Sequence, residues 1–238
     1  MSGRATAEGA AYLAFDTSGA FGSVAVGSLA GGARPDIFAR VLIEERLEQA
    51  ARLVPAIDEA LRAAGVALTS LAGVVVGEGP GSFTGVRVAA ATAKGLAHAL
   101  ELPLWAISSL AAAALAHEAG PIRYALFDAR GDRVYGACYG VGSAGVQELV
   151  PPHPGTLRDA LAGDVPAGAV FVGDGARRHR AAIEGAGYSV DPGAGARSLA
   201  EGLIGWLALR AEARPVADPS SWEPSYVRAS SAEPQWST

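Results

Sequence analysis

The chain has 238 residues, half of them apolar and 18% charged, with a formal net charge of -5. That length buries a sizeable core in one large domain or two small ones, and the composition excludes bulk disorder. The acidic balance argues against this chain as the main binder of a phosphate backbone, because neutralisation of phosphates by lysine and arginine drives that affinity.

Residues 1–11 are small and polar and read as a flexible tail without the apolar stretch of a secretory signal. No apolar run reaches transmembrane length, and Cys138, the one cysteine, leaves no intrachain disulfide. A cytoplasmic location without membrane contact is the expectation. Tyr12–Phe15 reads as a strand closed by the turn Asp16-Thr17-Ser18-Gly19, with Gly22–Gly27 and Ile37–Ile43 as second and third strands. Helical spacing over Glu44–Ala64 predicts a long helix, with a kink or a start near Pro55 and an end at Gly65. Gly73–Val76 is a short buried strand, Gly77–Gly85 a glycine-rich turn, and the following helix runs to about Leu100 before a fifth strand at Leu104–Ile107. The second half repeats the order. Strands are expected at Tyr124–Asp128, Arg133–Tyr139, Val146–Val150 and Ala169–Val172, with helices at Thr156–Ala162, Ala176–Ala186 and Ser198–Ala213.

Two short stretches recur in the same order. Ala14–Gly19 aligns with Leu126–Gly131 through Phe-Asp-x-x-Gly, and Val76-Gly77-Glu78-Gly79 aligns with Val172-Gly173-Asp174-Gly175. The expected fold is therefore α/β and duplicated, two βββαβα subdomains of the actin-like, ribonuclease-H-like kind, over 12–107 and 108–213. Helix 198–213 is placed to pack back on the first subdomain, and 214–238 forms a C-terminal tail.

The loop Gly77–Gly85 follows a strand and opens a helix, where backbone amides can hold an anion through Gly81, Ser82 and Arg87, yet it lacks the Gly-Lys-Ser/Thr ending of a nucleotide loop. A tight turn that needs glycine for its backbone angles explains the same residues. Gly85, Ala89, Ala93 and Ala97 lie four apart on the next helix, a small-residue stripe that suits either packing on the chain's own sheet or the close approach of another helix. Asp16 and Asp128 end the first strand of each half and are weak candidates for cleft acids around Mg-ATP, as in an actin-like ATPase or sugar kinase; turn capping is the plainer role. The four histidines show no zinc-ligand spacing, and no metal or other cofactor is expected.

Gly79-Pro80-Gly81-Ser82-Phe83-Thr84-Gly85, continued by Val86-Arg87, resembles the signature of the TsaB family. Leu13–Ser18, Phe127–Tyr135 and Pro224-Ser225-Tyr226-Val227-Arg228 resemble that family's opening strand, its Asp-Ala-Arg…Glu-Val-Tyr segment and its C-terminal Pro-x-Tyr-Leu-Arg. The resemblance implies a non-catalytic subunit of the machinery that transfers threonylcarbamoyl to N6 of the adenosine after the anticodon. It implies a heterodimer with a catalytic TsaD-type homologue, recruitment of a TsaE-type ATPase, and contact with tRNA only indirectly. Docking would use two early helices, through Leu47, Ala51, Val54, Ile57 and Leu61 on the first and Gly85, Val86, Ala89, Ala90, Ala93, Leu96 and Ala97 on the second. The same apolar surface predicts a homodimer when the partner is absent. TsaD proteins carry Asn-His-Leu-Glu-Gly-His where this chain resembles it through Ser108–Ala113, so Ser109 and Ala113 stand at the positions of the metal-binding histidines. The chain departs from the family at Gln49-Ala50, where His-Ser is common.

Overall fold

The computed structural model describes residues 9–30, 35–44, 49–142, 145–194, 197–210 and 212–225. The first subdomain runs β1 (Ala11–Asp16), β2 (Gly22–Ser28), β3 (Asp36–Ile43), α1 (Gln49–Ala64), β4 (Leu71–Gly77), α2 (Phe83–Leu100) and β5 (Leu104–Ile107). After α3 (Ser109–Ala116) come β6 (Ile122–Asp128), β7 (Arg133–Gly142), β8 (Gly145–Thr156), α4 (Leu157–Ala162), β9 (Val170–Val172), α5 (Asp174–Arg178), α6 (Arg180–Gly185), β10 (Ser189–Val190) and α7 (Leu199–Ala208).

Each sheet has five strands. The orders, β3-β2-β1-β4-β5 and β8-β7-β6-β9-β10, are the same topology twice. In both, three strands meander antiparallel and two more join parallel to the first after helical crossovers. The duplication legible in Phe-Asp-x-x-Gly is thus a duplication of topology.

Strand alternation sends side chains to two different cores. On β1, Leu13 and Phe15 face outward to meet Leu53, Ile57 and Leu61 of α1 and Ala89, Ala93 and Ala97 of α2. Ala14 faces inward, into a core where α3 and α7 lie between the two sheets. A third core, around Tyr124, Phe171 and Ile183, joins the far face of the second sheet to α4 and α6. The layers run helices, sheet, helices, sheet, helices. Helix α7 belongs to the middle layer, where Leu203 and Ile204 have no exposed surface.

Helix α1 begins at Gln49, and Pro55 lies within it; Leu47 lies outside the described residues. Gly65, at φ 68, ends α1 as the sequence predicts: its N–H bonds Arg62 O and that of Val66 bonds Leu61 O. The expected helix over Ala176–Ala186 is two short ones that meet at His179. No helix of the described residues is long and apolar enough to cross a membrane.

Candidate functional site

The turn after β1 and the glycine-rich loop after β4 are built as one unit. The Asp16 carboxylate, with no exposed surface, accepts from the N–H and the hydroxyl of Ser18 on Oδ1, both at 2.6 Å, and from Ser109 Oγ on Oδ2 at 2.5 Å. Ser109, at the start of α3, also receives the Gly79 N–H on its Oγ at 3.1 Å and returns its own N–H to Gly79 O at 2.8 Å. Thr17 Oγ1 donates to Gly85 O at 2.6 Å, and Ser82 N–H donates to Ser18 O at 2.8 Å. Burial pushes the Asp16 carboxyl above its ordinary value, opposed by the bonds from Ser109 and Ser18.

These contacts explain the glycines. A methyl group on Gly77 would collide with the Asp16 carboxylate, and one on Gly85 with Thr17 O. Gly79 sits at φ 95, in the left-handed region. Ser82 caps α2 by accepting the Gly85 N–H at 3.3 Å. The loop spends its close approaches on its own fold.

The sequence-singled residues separate into three places. Gly81 and Ser82 line a polar cleft of about 250 Å³ that also includes Asp128 and Arg130. Arg87 is exposed, its guanidinium 3.9 Å from the centroid of Phe83. Asp128 accepts the Arg130 N–H at 3.1 Å and pairs with Arg178 at 3.2 Å. Asp16 is sealed beneath Ser109, so the two aspartates do not form an open acid pair.

The expected docking row is divided by burial. Gly85, Val86, Ala89, Ala90, Ala93 and Ala97 are buried, as are Ile57 and Leu61, and Leu96 is half-buried. Ala51 is exposed, and Val54 is 62% exposed in the middle of α1. Phe83, 56% exposed at the start of α2, was not singled out by spacing because it precedes the small-residue stripe. The stripe lets α2 lie close on the sheet; the face α1 and α2 turn outward carries Ala51, Val54, Phe83, Arg87 and Ala91.

The family model for TsaD, tRNA N6-adenosine threonylcarbamoyltransferase, matches residues 31–172, more than half of the chain. The tRNA threonylcarbamoyladenosine biosynthesis protein TsaB of Bacillus subtilis (strain 168) is 31% identical over 191 residues, covering 78% of this chain and 82% of that protein. The chain belongs to the TsaB family. Its namesake from Haemophilus influenzae is 46% identical over 88 residues, which cover 35% of this chain and 37% of that one. The solved structure of YeaZ from Pseudomonas aeruginosa superposes with a TM-score of 0.71 at 29% identity, covering 91% of this chain and 99% of that one. Ethanolamine utilization protein EutJ from Carboxydothermus hydrogenoformans, at TM-score 0.51 and 11% identity, shares the fold alone. With these neighbours, the doubled topology of this TsaB-family chain is the actin-like duplicated fold.

Proposed function

We propose that this chain takes part in the synthesis of threonylcarbamoyladenosine in tRNA as an accessory subunit that presents α1 and α2 to a TsaD-type catalytic partner. The observation that carries the reading is the state of Ser109 and Ala113. They stand where the resemblance puts the metal-binding histidines of TsaD, and both are committed to the fold. Ser109 ties Asp16 to the glycine loop, and Ala113 has no exposed surface in the core between the sheets. A serine hydroxyl and a methyl group do not replace two imidazoles as metal ligands.

The docking face is then the outward row of α1 and α2. Val54 and Phe83 are large apolar side chains left more than half exposed, and exposed apolar groups on adjacent helices suit a helical partner. The same face accounts for a homodimer of this chain alone, replaced by the heterodimer when a TsaD-type subunit is present, with a TsaE-type ATPase joining the pair. The alternative, an actin-like ATPase or sugar kinase using Mg-ATP, is not favoured, since Asp16 is sealed and Asp128 is engaged by Arg130 and Arg178. Gel filtration of the chain with and without its cognate TsaD-type subunit tests the assignment. A shift from homodimer to a one-to-one heterodimer is expected; two species that elute independently would reject it.

A further inference from the structure

We propose that the Asp174 carboxylate is a staple between the two subdomains, a side chain that ties the first hairpin turn of one to that of the other. Asp174 opens α5 directly after β9, on the second subdomain. Its Oδ2 accepts the backbone N–H of Ala20, in the β1–β2 turn of the first subdomain, at 3.1 Å. Its Oδ1 accepts the N–H of Asp128, where β6 enters its turn to β7, at 3.2 Å. One carboxylate therefore ties together the equivalent hairpin turns of the two repeats.

The local backbone is shaped for this reach. Gly173, at φ 97, and Gly175 lie so close to the Leu126–Asp128 backbone that neither has room for a β-carbon. On the same seam the Arg177 guanidinium lies 5.8 Å from the Phe21 ring centroid, a second contact across the subdomains. The cavity that remains there, walled by Phe21, His117, Phe127 and Leu199 among others, is about 20 Å³, room for one water. The aligned residue of the first repeat, Glu78, lies instead beside the Trp222 side chain, so among the described residues the bridge is made from the second repeat alone.

Hairpin amides that face a cleft readily donate hydrogen bonds to an anion, and a hinge that closes on a ligand uses them for that ligand. Here a carboxylate takes both N–H groups. The turns of the two repeats are thereby joined through one side chain. The staple stands whether or not α1 and α2 dock a partner.

Residue-resolved amide exchange by NMR on the full chain tests it. In Asp174→Ala, the amides of both Ala20 and Asp128 are expected to exchange about tenfold faster, while those of Leu13, Val75 and Ala125 in the sheet centres keep their rates. Formate, added against an equal concentration of chloride, should restore protection by filling the place of the missing carboxylate. Asp174→Asn keeps one acceptor and should release one of the two amides, which decides the matter if the alanine variant does not fold. Faster exchange at Asp128 with Ala20 unchanged would overturn the proposal and make Asp174 a local cap of its own subdomain. So would an equal acceleration of every amide, without rescue by formate.

Discussion

Asp16 shows what one buried carboxylate can organise. Three donors converge on it, and through Ser109 it fixes the glycine loop. Asp16→Ala leaves those donors unpaired in the core and should cost about 3 kcal/mol in urea unfolding. Asp16→Asn keeps the shape and removes the charge. Because burial raises the folded pKa above 3.8, the carboxyl's stabilising contribution is complete below that value and is lost as pH rises through the folded pKa. Stability of the native chain relative to Asp16→Asn should therefore fall as pH rises above about 4; a difference that stays constant or changes in the opposite sense would contradict this. The turn at Asp16 was legible in the sequence as Asp-Thr-Ser-Gly. Its bond to Ser109 was not, because a contact across 93 residues leaves no local pattern.

At the scale of elements, α1 and α2 each have one face on the sheet and one turned outward. Spacing located both helices and their apolar residues, but it could not say which row faces the sheet, since alanine and glycine suit either contact. Burial decides it: Ala93 has no exposed surface and Val54 keeps 62% of its own. Ala93→Arg forces a charge into the first core and should unfold the subdomain, a loss of about 4 kcal/mol or more read by thermal unfolding. Val54→Arg should leave stability within about 0.5 kcal/mol and weaken binding to the TsaD-type subunit at least about tenfold in calorimetry. Unchanged affinity would move the interface elsewhere. Helix α3 escaped the sequence reading for a physical reason. Leu110 through Ala114 are buried all round between the sheets, so no polar face marks the helical period. Strand β10, two residues long, has no period to read.

The whole molecule is held by segments that return across it. Residues 214–225, rich in proline and serine, read as the start of a tail, yet they lie along the first subdomain. Val216 N–H bonds Leu104 O at 2.7 Å on the edge strand β5, Lys94 donates to Ser220 O at 3.1 Å, and the Trp222 side chain lies beside Glu78 of the glycine loop. The contacts to β5 and from Lys94 use the strap's backbone, which composition does not reveal. Trp222→Phe takes the indole N–H away from the neighbourhood of a carboxyl that burial already pushes upward, and should cost about 1 kcal/mol, less when combined with Glu78→Gln. Simple additivity of the two changes in urea unfolding would show that the pair is not coupled. The duplicated topology was legible from two short repeats; the strap and the Asp174 bridge were not, since both depend on which distant turns the folded chain brings together. The central claim is that this chain supplies a docking body and no transfer chemistry. Its most direct test is threonylcarbamoyl transfer to tRNA by a reconstituted mixture of the cognate TsaD-type and TsaE-type proteins, with the chain present, omitted, or carrying Val54→Arg. Transfer should require the chain, fall with Val54→Arg, and be absent from the chain alone; transfer at full rate without it, or by it alone, would contradict the account.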